Sequence, residues 1–356
     1  LSQGFPDFQA EPALFDAVHR HMREGRNQYA PMAGMPELRQ AIVDKVAALY
    51  GTRFDVESEV TVTAGATQAI FTAVAAFVRP GDEVIVFEPV YDSYVPAIET
   101  VGGTAVFAQL KYPDYAPDWA QVAQLISPKT RMIIINSPHN PTGSLLTAGD
   151  LDQLAALLRG TDIVVLSDEV YEHILFDGEK HASLCGHSAL AERSIVVSSF
   201  GKTYHITGWK IGYVVGPAAL MAEFRKVHQF NVFTVHTPSQ LALAEYMQDA
   251  SRHLGLAAFY QEKREFFRNL LADTPFQLLP CRGTYFQLAS YAGLSDLPDR
   301  AFAEWMTREV GVAVIPVSVF NADGRDDQVV RFCFAKKEET LLMGAERLRK
   351  AFVKHC

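Results

Sequence analysis

A lysine that could bond covalently to a ligand stands at position 202. It follows the β-branched run Ile195-Val196-Val197, two serines, Phe200 and Gly201. Such a run reads as a buried strand, so Lys202 lies just past a strand end, where ligands of α/β proteins bind. A lysine whose surroundings disfavour the ammonium presents a free amine that adds to a carbonyl. The plain alternative is a solvated lysine on a glycine-rich loop. A second lysine, Lys210, closes the same stretch after Gly208-Trp209.

Other polar residues sit at comparable places. Asp168, in Ser167-Asp168-Glu169-Val170-Tyr171, ends the apolar run 163–166. A carboxylate there can keep a pyridinium nitrogen protonated, and Tyr171 can hydrogen-bond a ring oxygen. The alternatives are a helix N-cap and a surface aromatic. Asn140, in Asn136-Ser137-Pro138-His139-Asn140-Pro141-Thr142-Gly143, precedes a proline and is held extended, with its amide free for a ligand or for an Asx turn. Gly65-Ala66-Thr67 marks a strand-to-helix change whose free N–H groups suit a phosphate, or serve capping alone. Arg331 interrupts the apolar strand 329–334 on the same face as Val329 and Cys333. If buried it needs an anion, either a substrate carboxylate or a structural partner.

The elements that must position these residues follow from periodicity. Helices are predicted over 12–23 and 37–50, the second with Leu38, Ile42, Val46 and Leu49 on one face. From residue 59 strands alternate with helical patterns: 60–63, 84–87, 105–107, 132–135, 163–166 and 195–197. That order predicts a mostly parallel sheet covered on both faces. A long helical region follows from 216 to 271, interrupted at Thr237-Pro238. The last part predicts strands at 284–288, 312–315 and 329–334 and helices at 300–310 and 338–353, a smaller α+β unit.

A chain of 356 residues suggests two domains. The net charge of −9 argues against nucleic acid as the main partner, and no apolar run approaches the roughly 20 residues of a membrane span. Cys185, Cys281, Cys333 and Cys356 have no metal or disulfide spacing, and the histidines form no HExxH, so no metal is expected and a reducing, cytoplasmic setting is the simplest reading. The start at Leu1 rather than Met suggests a trimmed beginning.

Ser199-Phe200-Gly201-Lys202 with Gly208-Trp209-Lys210, Asn140-Pro141-Thr142-Gly143, Asp168-Glu169-Val170-Tyr171 and the late Arg331 together resemble the pyridoxal-phosphate aminotransferases of class I/II, fold type I. The resemblance covers almost the whole chain. Gly4-Phe5-Pro6-Asp7-Phe8, Asn27-Gln28-Tyr29 and Glu88-Pro89-Val90-Tyr91-Asp92 look like the branch of methionine aminotransferases and kynurenine aminotransferase/cysteine-conjugate β-lyases. The family's usual N-terminal arm is missing before Leu1.

The resemblance implies a large cofactor domain over 26–262 and a small domain over 1–25 and 263–356. It implies that Lys202 joins the cofactor and later moves a proton, that Asp168 binds the pyridine nitrogen, and that Asn140 and Tyr171 bind the ring oxygen. Tyr91 stacks on the ring; Gly65, Ala66, Thr67, Ser199 and Lys210 hold the phosphate. Tyr29 reaches the neighbouring subunit's phosphate, which makes the unit a homodimer. Arg331 clamps the substrate carboxylate with Asn140 and the Gly4 backbone, beside Phe5 and Phe233. Phe233-Thr234 stands where kynurenine aminotransferases tend to have Phe-His, which favours a methionine-type donor. A β-lyase activity and a non-enzymatic aminotransferase-like regulatory domain are the competing functions.

Overall fold

Valine, isoleucine and leucine fill both faces of the central strands, and a strand of that kind needs cover on each side. The computed structural model, which describes residues 1–352, provides it. Seven strands form one sheet: β1 (Val60–Thr63), β2 (Glu83–Glu88), β3 (Thr104–Gln109), β4 (Thr130–Asn136), β5 (Val164–Asp168), β6 (Ser194–Ser199) and β7 (Gly212–Val215). Their spatial order is β1-β7-β6-β5-β4-β2-β3. Strands β3, β2, β4, β5 and β6 pair in parallel, while β7 runs antiparallel to both its neighbours.

Alternation along the strands sends side chains to two cores. Ile133, Ile135, Val165 and Val196 pack with Leu38, Ile42 and Val46 of the helix α1 (Pro36–Tyr50). Met132, Ile134, Leu166 and Val197 pack with Ile70, Ala73 and Val74 of the helix α2 (Ala66–Phe77). Each fully buried branched side chain there contributes about 1.5–3 kcal/mol.

A second, antiparallel sheet has the order β10-β11-β9-β8, with β8 (Gln277–Leu278), β9 (Phe286–Ser290), β10 (Ile315–Pro316) and β11 (Val329–Cys333). Its core joins Phe332 and Ala289 to Tyr260 and Phe267 of the helix Leu256–Leu271, to Phe302, and to Leu341 and Leu348 of the helix Glu338–Phe352. The N-terminal segment is strapped onto this unit. Cys333 N donates to Leu1 O at 2.8 Å, Lys336 Nζ to Phe5 O at 2.6 Å, and Thr340 Oγ1 to Asp7 Oδ2 at 2.8 Å.

The mostly parallel sheet with helical cover and the smaller α+β unit match the expectation. Several details differ. Strand β7 was not anticipated: its four residues give little periodic signal, and the connection from β6 stays at one edge of the sheet and returns. The helical region 216–271 is divided into Ala218–Asn231, Thr237–Tyr246, Ser251–Leu254 and Leu256–Leu271. Of the predicted strand 312–315 only Ile315 is in a strand, as the first residue of β10, while Val312 and Val314 pack in the second core without pairing. The strand expected at 284–288 starts only at Phe286, since Thr284 has a left-handed φ of 66°. Cys356 and the expected helix end at Val353 lie outside the described residues.

Gly212 begins β7 where it pairs with both Thr63 and Ser199. A Cβ there would stand 2.6 Å from Ser198 O and 3.2 Å from Ala66 N, both backbone atoms that cannot swing away. Gly212→Ala is expected to cost about 2 kcal/mol of stability, read as a lowered melting temperature.

Candidate active site

Because β4, β5 and β6 are parallel, their last residues Asn136, Asp168 and Ser199 emerge at one edge. Reversed β7 brings Lys210, just before it, to the same edge. A cavity of about 170 Å³ opens there. Gly65, Ala66, Thr67, Tyr91, Asn140, Asp168, Tyr171, Ser199, Lys202 and Lys210 all line it, so the fold brings these ten candidates together.

Asp168 is buried at the cavity floor. Tyr94 donates to its Oδ2 at 2.7 Å and Val170 N to its Oδ1 at 3.3 Å. Loss of water dominates, and the carboxyl is pushed up from 3.8 to about 6. Lys202 follows the opposite sign: burial penalises its ammonium and brings it down to about 8. Its Nζ donates to Tyr285 Oη at 3.0 Å and to Gly4 O at 3.4 Å. The same desolvation raises the acid and lowers the amine, and near neutral pH part of the Lys202 population is nucleophilic.

At another side of the cavity, Gly65 precedes α2 with φ of 82° and ψ of 170°, a conformation open to glycine. It turns the chain so that the first N–H groups of α2, which have no acceptor within the helix, join the cavity lining beside Thr67, Ser199 and Lys210. That end attracts an anion.

Arg331 is only 7% exposed. Its Nη1 donates to Asn140 Oδ1 at 2.7 Å and its Nη2 weakly to Ser2 O at 3.5 Å, while the guanidinium lies 4.0 Å from the centre of the Phe286 ring. Its Nε has no partner among the described residues, and neither contact is a carboxylate. A buried cation left in this state is poised for an anion from outside.

Five expected contributors are not part of the cavity lining within one chain: Arg331 and Gly4, which touch lining residues, and Tyr29, Phe233 and Phe5. Tyr29 is 83% exposed and packs edge-on against Phe233, ring centres 5.5 Å apart. Phe5 is half-exposed, with Lys336 Nζ 4.6 Å from its ring centre. Gly4 is at the site, but its carbonyl accepts from Lys202 and Tyr285. Three residues were missed. Tyr94 opens the helix Tyr94–Thr100 three residues after Tyr91 and had no local signal of its own. Asn136 bridges the motif: its Nδ2 donates to Asp168 O at 2.9 Å and its Oδ1 accepts from Asn140 N at 2.8 Å. Tyr285 had no local signal.

The family model for aminotransferase class I and II matches residues 1–348. This chain belongs to the class I and II aminotransferases. It is 50% identical to the methionine aminotransferase of Escherichia coli (strain K12), over 98% of this chain and 91% of that protein. It is 34% identical to kynurenine–oxoglutarate transaminase 1 of Rattus norvegicus, over 98% and 91% of the two chains. A solved Escherichia coli structure, described as identifying a methionine aminotransferase function, superposes with a TM-score of 0.97 at 50% identity, covering 98% of this chain and 93% of the other.

Aminotransferases of this class use pyridoxal phosphate, and so does this enzyme. The residues present fit that cofactor. One cavity offers a donor-rich, anion-attracting end, a buried carboxylate held by only two donors, and a partly neutral amine.

Because the folded Asp168 carboxyl is raised from 3.8 to about 6, its protonation stabilises the cofactor-free enzyme below pH 4, and that stability is lost as pH rises through 6. The full difference is about 3 kcal/mol. Cofactor-free Asp168→Asn is therefore expected to melt above the wild-type apoenzyme at pH 7.5, with the gap closing towards pH 4. Calorimetry across that range checks this, and a gap independent of pH contradicts it.

Proposed function

We propose that this aminotransferase takes the amino group from an uncharged, fairly bulky amino acid, methionine ahead of aspartate, and gives it to a 2-oxo acid. The observation that carries the reading is Arg331, a buried guanidinium with an orphaned Nε beside the Lys202–Asp168 cavity. It can take one carboxylate in its fork. Arg282, the other candidate for a second carboxylate, is bound to Glu179 at 2.6 Å. The likeness to the Escherichia coli methionine aminotransferase supports the same donor. The rat kynurenine transaminase is a related branch.

When bound, pyridoxal phosphate supplies a carbonyl for the amino group and a ring that takes up electrons released at the substrate's α-carbon. Each residue then has a task. Asp168 holds a positive charge at the ring nitrogen, with Tyr94 and the Val170 N–H keeping the carboxylate oriented. Asn140 and Tyr171 bind the ring oxygen, and Tyr91 covers the ring face. Gly65, Ala66, Thr67, Ser199 and Lys210 hold the phosphate. Lys202 anchors the cofactor and, once freed, removes the α-proton. Arg331, with Asn140, fixes the α-carboxylate. Phe5 and Phe233 contribute apolar surface for the donor side chain.

The exposed Tyr29–Phe233 pair supports a homodimer in which Tyr29 reaches the phosphate of a neighbouring subunit. The grouping of strands supports a cofactor domain over 26–262 and a small domain over 1–25 and 263–356. Unpaired, buried Cys185, Cys281 and Cys333 support a cytoplasmic setting. No helix among the described residues is long and apolar enough to cross a membrane.

Two experiments test the reading. Lys202→Ala is expected to lose essentially all turnover, and borohydride reduction followed by peptide mass spectrometry should attach cofactor to Lys202 in the wild type alone. Against one 2-oxo acid, kcat/KM for linear apolar donors should rise about fourfold per buried methylene. Methionine should lead phenylalanine, kynurenine and aspartate. Aspartate ranking first overturns the donor assignment.

A further inference from the structure

Tyr285 is absent from the roles above, yet it touches the reacting nitrogen. Its hydroxyl donates to Gly4 O at 2.6 Å, so its lone pair is what faces Lys202 Nζ at 3.0 Å. Gly4 O is itself a second acceptor at 3.4 Å. The ring centres of Tyr171 and Tyr285 lie 5.6 Å from the same nitrogen. Two oxygen acceptors and the nearby Tyr171 ring are the surroundings that suit an ammonium. They oppose the withdrawal of water around Lys202.

The backbone secures this arrangement against its own preference. Thr284, fully buried and β-branched, is in the left-handed region with φ of 66°. Such a conformation persists only where neighbours over-determine it, and it clusters at functional sites. Here Thr284 N donates to Ile174 O and Phe334 N to Tyr285 O, each at 3.0 Å. The tyrosine is thereby fixed between the segment after β5 and the end of β11.

We propose that Tyr285 is a positioning residue which, with the Gly4 carbonyl, forms a seat for the ammonium that Lys202 becomes when it takes the substrate's α-proton. In that step the α C–H bond breaks, an N–H bond forms at Nζ, and the electron pair stays on the substrate side. Returning the proton leaves Nζ neutral again. The inference rests on the assignment of Lys202 made above. Among the other groups acting on Nζ, Asp168 favours its charge and Lys210 and Arg331 oppose it, while burial raises the Cys333 thiol and keeps it neutral.

The test is Tyr285→Phe, which removes one oxygen and keeps the ring. The rate at which apoenzyme attaches pyridoxal phosphate covalently requires a neutral amine, so in the wild type it should climb with pH to a plateau above about 8. In Y285F the climb should come about one pH unit lower, because the ammonium has lost an acceptor. With the loaded enzyme, kcat should fall about tenfold, KM should change little, and the α-deuterium isotope effect should grow. Tyr285→Met serves if Y285F does not fold. A climb at the wild-type pH overturns the seat, even when activity is lost, because a purely structural role would leave that pH unmoved. If wild-type attachment shows no dependence on Lys202 when compared with K202A, the Lys202 assignment itself has failed.

Discussion

Burying a charge without a partner is the costliest thing a folded chain can do, and this structure separates its buried charges accordingly. Behind the site, Glu172 receives Lys45 Nζ at 2.5 Å, Tyr50 Oη at 2.6 Å and Ser198 Oγ at 2.6 Å. Elsewhere Arg264 pairs with Asp177 at 2.7 Å and also donates to Cys281 O. Those ions are complete within the chain. Asp168, Lys202 and Arg331 are not: hydroxyls, amides and carbonyls surround them in place of opposite charges in direct contact. The incomplete set marks where the chain awaits a cofactor and a substrate.

The sheet makes this placement feasible. Parallel strands buried on both faces carry few polar residues until their ends, where helix termini and loops supply donors. Asp168 can therefore lose its water while its backbone stays in a ladder with β4 and β6. Antiparallel β7 adds what parallel strands could not. It lies between β1 and β6, so Lys210 at its start meets Gly65 and Ser199 at the strand ends beside it.

Much of this was legible in the sequence because the signals are local. β-branched runs announced six of the strands in the large sheet, and Asp168, Asn140 and Lys202 each stand just after one. The family resemblance supplied the roles that spacing alone left open. What escaped depends on contacts distant in sequence or on very short elements. β7 has four residues and β8 two, too few for a periodic pattern. Tyr285 meets Gly4 across almost the whole chain, and nothing near either residue foretells it. The late start of β9 reflects the left-handed Thr284, a tertiary demand that overrides the strand preference of threonine.

The strap that ties residues 1–8 to the second sheet also has a mechanical side. Leu1 is held by Cys333, two positions beyond Arg331, and Phe5 by Lys336. Ser2 touches Arg331 and Gly4 touches Lys202. A rigid displacement of that sheet would carry the carboxylate-seeking guanidinium and the Gly4 oxygen on the lysine together, like two teeth on one gear. With the roles proposed for Arg331 and Lys202, grip at the substrate's acid end and restraint on the lysine nitrogen would be coupled through the first five residues of the chain.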